Sequence, residues 1–198
     1  MTRQRPSTPR IPPRPESDWD DEAREQLTRA MGGAIEGEGR SPLNIFRTLV
    51  NHPKMLKYWM VFAGGILNKG LLPARDREIL ILRAGWNCQS VYEWGQHTAI
   101  GRRVGLTDAE IARIAEGPDA PGWDPFDATL LRAADELHAD ACISDATWEE
   151  LRARYDTKQL IEVPMTVGQY YLVSMTLNSL GVQREPGVDG FPGDPPAS

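Results

Sequence analysis

The chain has 198 residues, 40% of them hydrophobic and 25% charged, which supports one substantial core in a globular protein of ordinary composition. Its net charge of −6 argues against the clustered basic surface of a nucleic-acid-binding protein, so the expected partners are small molecules and further copies of the chain. No apolar run is long enough to span a membrane, and the first residues lack the apolar centre of a secretory signal, so we predict a cytoplasmic protein without a membrane partner.

The N-terminal segment combines arginine with proline. Residues 1–16 have a composition that favours extended, solvated chain, so we predict a flexible arm, either without a role or wrapped around a neighbouring subunit. Ser17 is the predicted N-cap of a first helix, because acidic residues follow it, and this helix ends near Met31. The glycine-rich residues 32–41 are interpreted as a mobile loop.

Three helical segments follow this loop. Residues 41–53 restart helical periodicity, with Pro42 near the helix start. Residues 53–70 are apolar all round, which is typical of a core helix or a subunit interface. Residues 71–88 contain an apolar run, 79–82, that alone could form a buried strand, but the charged residues around it favour a helix.

The second half of the chain continues in helical patterns. Thr107 and Glu110 have the spacing of a capping box and predict a compact helix that ends at Gly117. Helical periodicity then covers 125–155 as two helices and 156–181 as one long helix.

The C-terminal residues 184–198 are rich in glycine and proline, and we predict that they are disordered. The chain shows no alternation of strands and helices, no internal repeat and no glycine-rich phosphate loop. These observations predict a single all-α domain, residues 17–183, of about seven to nine helices.

The stretch from Gly85 to Gly101 places a cysteine, a carboxylate and an imidazole among apolar neighbours. Glu93 and His97 stand four residues apart, which on a helix puts both side chains on one face, close enough to share a proton. They are candidate acid and base. Cys88 precedes them near the predicted helix start, where unpaired N–H groups favour a thiolate, so it is either reactive or a buried small hydrophobe.

Four further residues complete the candidate site. Glu78 opens the apolar run of the preceding helix, and it either takes part in chemistry or forms a structural ion pair with a neighbouring arginine. Trp86, Tyr92 and Gln96 are candidate substrate-binding residues, with core packing as the alternative. These side chains would line a pocket around the acid–base pair.

Metal and disulfide chemistry find little support in the sequence. Cys88 and Cys142 are its two cysteines, too few for a disulfide framework or a paired zinc motif. A divalent ion held by Glu78, Glu93 and His97 is the remaining alternative, but no second histidine stands nearby. We therefore predict no metal and no organic cofactor.

Four segments resemble the carboxymuconolactone decarboxylase family, the broad group that includes alkyl hydroperoxidase D. The segments are SPLNIFRTLVNHP (41–53), LLPARDREILILRAGWNCQSVYEWGQH (71–97), GLTDAEI (105–111) and LNSLGV (177–182). The resemblance covers roughly residues 40–183. It implies an alkyl hydroperoxidase D-like helical bundle, homo-oligomers that are trimers or hexamers, and a site between helices near a subunit boundary.

The peroxidase branch of this family uses a glutamate, a C-x-x-C pair and a histidine four residues after the second cysteine. Glu78 and His97 match the outer two positions, whereas Ser90 and Glu93 occupy the cysteine positions. A dithiol cannot form there, so the resemblance implies peroxide reduction only as an alternative, through Cys88 and an external resolving thiol.

The decarboxylase branch acts on a γ-lactone that carries a carboxylate. Loss of carbon dioxide leaves a dienolate, which must be stabilised and then protonated at carbon. The resemblance thus implies a cofactor-independent enzyme that decarboxylates, opens or isomerises a small carboxylated substrate, with His97 as proton donor and Glu93 or Glu78 holding its tautomer. A non-catalytic oligomeric binding protein is the third interpretation, and it would be favoured by ion pairs that close Glu78 and His97 to solvent.

Overall fold

The computed structural model describes residues 5–32 and 42–197, and within these ranges the chain forms nine α-helices and no strand. The helices are α1 (Asp21–Ala30), α2 (Asn44–Leu49), α3 (Pro53–Lys69), α4 (Ala74–Asn87), α5 (Val91–Arg103), α6 (Asp108–Glu116), α7 (Pro125–Asp140), α8 (Asp145–Arg152) and α9 (Thr157–Leu180). The predicted all-α fold is confirmed. The loop predicted at 32–41 lies, apart from Gly32, outside the described residues. In the described ranges, none of the helices combines the length and the apolar character that crossing a bilayer requires.

The first helix begins later than the sequence predicted. Ser17 lies in a short 3₁₀ turn, and the N-cap of α1 is Asp20, whose Oδ1 accepts a hydrogen bond of 2.8 Å from the N–H of Ala23. Aspartate and serine cap helices about equally well, so packing decides between them. Trp19, directly before the cap, is only 7% exposed, which fixes the point at which the chain enters the helix.

The first compact unit comprises the described residues up to Lys69 together with Leu177–Glu185. Its helices α1, α2 and α3 bury a small apolar cluster made of Trp19, Ala23, Leu27, Val50 and Leu56. The helices pack because their apolar residues recur at helical spacing on one face.

Residues 5–16 of the N-terminal arm form hydrogen bonds with other parts of this first unit. The N–H of Arg10 donates to the carbonyl of Leu180, and the N–H of Arg14 donates to the carbonyl of Arg47, both at 2.8 Å. Extended proline-rich chain has no internal hydrogen bonds, so its remaining N–H groups are available for such contacts. Residues 5–16 are therefore ordered by neighbouring carbonyl groups rather than by their own secondary structure.

The second compact unit comprises Gly70–Thr176 and the residues from Pro186 onward. Its central element is α4, which packs against α5, α6 and α7. The four residues from Ile79 to Leu82 are each 0% exposed. Four consecutive positions cover the full circumference of a helix, so the apolar run reflects a helix that is surrounded on all sides.

Two arginine forks fix α4 against α7. Arg75 binds both carboxylate oxygens of Asp127 at 2.9 and 2.8 Å, and Arg83 binds both oxygens of Asp135 at 2.6 and 2.8 Å. The pairs are eight residues apart on each helix, so the two helices run parallel and in register. Bidentate pairing adds directional specificity to this packing.

The described residues of the C-terminal segment, for which the sequence predicts disorder, contact α4 and α5. The Phe191 ring packs edge-on against the ring of Trp86, with centroids 5.1 Å apart. A β-carbon on Gly95 of α5 would overlap the carbonyl oxygen of Asp189. Glycine at this position therefore permits the tail to approach the helix backbone closely.

Candidate active site

Helices α4 and α5 bring together three of the four predicted catalytic residues. Glu78 lies in the second turn of α4, while Glu93 and His97 lie one turn apart on α5. The imidazole Nδ1 of His97 is 2.6 Å from Oε2 of Glu78, and its Nε2 is 3.1 Å from Oε1 of Glu93. The predicted pair is thus a cluster of three, with a carboxylate on each side of the ring.

The cluster is almost closed to solvent. Glu78 is 0% exposed, Glu93 4% and His97 6%. A buried carboxylate needs a cationic partner. Glu78 has two: His97, and Arg77, whose Nε and Nη2 atoms are each 3.2 Å from Oε1 of Glu78. Each oxygen of Glu78 therefore faces a different cation. With His97 protonated, two carboxylates are balanced by two cations.

The carboxylates control the protonation of His97. Burial alone disfavours the imidazolium and would lower the pKa of His97, but the charges and hydrogen bonds of Glu78 and Glu93 outweigh burial and raise this pKa to about 10. At neutral pH both ring nitrogens carry protons, and both N–H groups donate to carboxylates. An imidazolium has no lone pair for a metal ion. The described residues contain no group of three or more acidic, histidine or cysteine side chains suited to hold one.

Tyr170 of α9 forms a wall of the site that the sequence did not reveal. Its ring lies edge-on to the His97 ring, with centroids 4.8 Å apart and an interplanar angle of 82°. Burial, followed by the charges of Glu93 and Glu78, raises the pKa of the Tyr170 hydroxyl well above its ordinary value. This phenol stays protonated and cannot serve as a base at neutral pH. No sequence signal separates it from the neighbouring Tyr171.

Cys88 lies elsewhere than its expected position at a helix start. It is the C-cap of α4, where its N–H donates to the carbonyl of Ala84 at 3.0 Å, and the N-cap of α5 is Ser90. A helix C-terminus carries partial negative charge, which disfavours a thiolate. Ten residues of helix, about 15 Å of axial rise, separate Cys88 from Glu78. The prediction that Cys88 lies at a helix start, which was the reason to expect a reactive thiolate, is therefore wrong.

The predicted substrate-binding residues take different positions. Trp86 stacks in an aromatic cluster, its ring 5.6 Å from that of Trp94 and close to Phe191. Tyr92 is buried with 2% exposure, and Gln96 is half-buried on α5. Their contact with a substrate stays a prediction. A cavity of about 220 Å³ lies between α5, α6 and the C-terminal tail.

The His97 cluster predicts a loss of stability at alkaline pH. Its pKa is raised from 6.5 to about 10 in the folded chain, so the stabilisation is fully present below pH 6.5 and is lost as the pH rises through about 10. We expect the free energy of unfolding of the wild type to fall over this range by a few kcal/mol more than that of His97→Gln. Denaturant unfolding between pH 6 and about 10.5 measures this difference.

The exposed His138 on α7 provides the matched control for this experiment. His138→Gln should follow the wild-type curve, because this residue has no part in the cluster. If the free energy of unfolding of His97→Gln fell with pH as much as that of the wild type, the carboxylates would not hold the His97 proton.

Comparison with known proteins gives a family model that matches part of the chain. Residues 53–136 match the model of the carboxymuconolactone decarboxylase family, and this segment contains the whole cluster. A comparison with curated proteins gives no match.

Solved structures with the same fold include proteins of several descriptions. An uncharacterized peroxidase-related protein from Ralstonia eutropha JMP134, an alkylhydroperoxidase AhpD core, superposes with a TM-score of 0.74 at 17% identity and covers 89% of this chain and 92% of its own. An uncharacterized peroxidase-related protein from Silicibacter sp. TM1040 superposes with a TM-score of 0.70 at 14% identity and covers 93% of this chain and 93% of its own. The debrominase Bmp8 superposes with a TM-score of 0.68 at 13% identity and covers 88% of this chain and 91% of its own. At these identities the likeness shows the alkyl hydroperoxidase D-like fold alone.

Proposed function

We propose, because residues 53–136 match the model of the carboxymuconolactone decarboxylase family, that this protein is a cofactor-independent enzyme that delivers a proton to a carbon of a small, oxygenated, carboxylated substrate. Decarboxylation, lactone opening and double-bond isomerisation all include such a step. The observation that supports the proposal is the sheltered imidazole with a carboxylate at each nitrogen, at 2.6 and 3.1 Å. A cytoplasmic location stays a prediction.

The geometry assigns different roles to the two carboxylates. Both oxygens of Glu78 are engaged, one by Arg77 and one by His97, and its side chain is fully buried. Glu78 is therefore a positioning residue that orients and charges the imidazole. Glu93 binds the other nitrogen, so it is the group that can pass the His97 proton to a substrate.

The decarboxylation step balances without a co-reactant. The bond between the substrate carbon and its carboxylate breaks, carbon dioxide leaves, and the electron pair stays on that carbon as a dienolate. The dienolate takes a proton from His97 through Glu93, and water then returns a proton to the cluster. A proton donor whose pKa lies near 10 is acidic enough for such a strongly basic carbon.

Incubation with carboxymuconolactone tests the proposal. We expect carbon dioxide release together with a change in ultraviolet absorbance, and in D₂O the product should gain one deuterium at the carbon that lost the carboxylate. Lactones without that carboxylate test for opening or isomerisation in the same way. A wild-type protein that changes no member of this set would contradict the proposal.

A non-catalytic binding protein is the second candidate, and the burial of the cluster favours it. Glu78 and His97 are ion-paired and at most 6% exposed, as this interpretation predicts. Saturable binding of the lactones without any turnover would support it. Peroxide reduction by Cys88 draws no such support, because the thiol lies at the C-terminal end of α4.

We also propose that the chain forms a homo-oligomer. Two helices expose apolar side chains: Met55, Tyr58, Val61 and Phe62 on α3, and Ile161, Met165, Leu172 and Met175 on α9. The residues on α9 recur at helical spacing and form one stripe. Exposed apolar patches of this kind mark interaction surfaces.

Sedimentation velocity should give the mass of a trimer or hexamer. Leu172→Glu places a charge in the α9 stripe and should shift the protein to smaller species, whereas Lys158→Glu, at an exposed position of the same helix, should not. A monomeric wild type would contradict the oligomer.

A further inference from the structure

Two of the described helices, α5 and α6, begin with a Ser/Thr-x-x-Glu sequence, the pattern of a capping box, and the box forms in α6 but not in α5. In α6 the N-cap Thr107 accepts from the N–H of Glu110 at 3.2 Å, and the N–H of Thr107 donates to the Glu110 carboxylate at 2.8 Å. This arrangement satisfies two N–H groups that the helix end leaves open. In α6, therefore, the Ser/Thr-x-x-Glu pattern forms both hydrogen bonds of the capping box.

Ser90 and Glu93 occupy the equivalent positions of α5 but form no box. Ser90 is the N-cap, yet its side chain makes no capping hydrogen bond, and Glu93 binds His97. Neither side chain therefore forms its part of the capping box.

The end of α4 explains why the box fails. Gln89 adopts a left-handed φ of 51°, and its N–H donates to the carbonyl of Trp86 at 2.8 Å, while the N–H of Ser90 donates to the carbonyl of Gly85 at 2.9 Å. These two bonds form the Schellman motif that closes a helix C-terminus. The N–H that Glu93 would bind in a capping box is already used by α4, so Glu93 is available to His97.

The Ser90 hydroxyl is left enclosed and unpaired. Its residue is 0% exposed, and its Oγ has no hydrogen-bond partner among the described protein atoms. Buried hydroxyls are almost always paired. Ser90 and Glu93 occupy the N-cap and N3 positions of α5, so both residues belong to the first turn of this helix.

We propose that Ser90 is a substrate-binding residue whose hydroxyl donates a hydrogen bond to the carbonyl or enolate oxygen of the substrate, beside the carboxylate that delivers the proton. The inference rests on the proposed function and identifies the substrate atom that is recognised. Negative charge develops on that oxygen as carbon dioxide leaves. The first N–H groups of the thirteen-residue helix α5 favour the same charge, because a helix N-terminus is electropositive.

A stability comparison separates this role from a capping role. Thr107→Ala removes a formed cap and should lower Tm by about 2–4 °C. Ser90→Ala removes no protein hydrogen bond, so Tm should stay within about 1 °C of the wild type or rise. An equal loss of Tm in both variants would show that Ser90 supports the fold, and it would overturn the inference.

Kinetics with carboxymuconolactone provide the second test. Ser90→Ala should lower kcat by about 100-fold, the effect of removing an oxyanion donor, with a smaller change in KM, while Thr107→Ala keeps the wild-type kcat. An inactive wild type contradicts the proposed function itself. An active wild type with an equally active Ser90→Ala contradicts only the role of Ser90, and means that its hydroxyl holds a water molecule alone.

Discussion

Replacing His97 with asparagine is expected to lower kcat by about 10²- to 10⁴-fold, the range that a positioned acid or base contributes. Asparagine keeps an N–H group for Glu78, so the pocket retains its shape, but it cannot carry the proton that Glu93 passes on. The measurement is carbon dioxide release from carboxymuconolactone by the purified variant. His138→Asn, on an exposed face of α7, is the matched control and should keep the wild-type kcat.

The two carboxylates should respond differently in the same assay. Glu93→Gln retains a hydrogen-bonding partner for His97 but removes the group that takes up and releases the proton, so its kcat should fall about as far as that of His97→Asn. Glu78→Gln should also lower kcat and, because it removes a charge that holds the His97 proton, move the alkaline limb of the pH profile to lower pH. Wild-type turnover by both His97→Asn and Glu93→Gln would refute these roles.

Replacing Glu78 with alanine is expected to destabilise the protein by about 3–5 kcal/mol. Glu78 is 0% exposed and is the partner of both Arg77 and His97. Its removal leaves a guanidinium and an imidazolium buried without a counter-charge, and it also opens a cavity at the start of the α4 core. Denaturant unfolding at pH 7 measures the loss.

An exposed ion pair provides the control for this stability change. Glu149 binds Arg152 on the surface of α8, with both side chains more than half exposed, so Glu149→Ala should change stability little. The loss in Glu78→Ala should shrink above pH 10, because His97 then becomes neutral in the wild type as well. A loss below about 1 kcal/mol at pH 7 would mean that the cluster is not a charged, buried unit.

The sequence predicts the fold class and the centre of the site because both depend on local spacing. Apolar residues at helical intervals identify the helices. Glu93 and His97 share a face because they stand four residues apart on α5. The placement of Glu78 beside them came from a family resemblance, since nothing local specifies that α4 and α5 pack with these faces together.

Other features depend on tertiary contacts that local signals do not reveal. Gln89 closes α4 in a conformation usually signalled by glycine or asparagine, so the residue types do not reveal that Cys88 caps the end of α4 and does not open α5. Tyr170, which contacts the His97 ring, lies more than seventy residues after His97 in the chain. The C-terminal tail has the composition of a disordered segment, but Phe191 finds an aromatic surface at Trp86.

The protonation state of His97 is the property on which the proposed catalysis, the pH-dependent stability and the proposed positioning role of Glu78 all depend. A ¹⁵N NMR titration of the histidine side chains, assigned with His52→Asn and His138→Asn variants, measures it directly. We expect both ring nitrogens of His97 to stay protonated at neutral pH and one of them to lose its proton only near pH 10. Titration of His97 near pH 6.5, as in an isolated histidine, would contradict it.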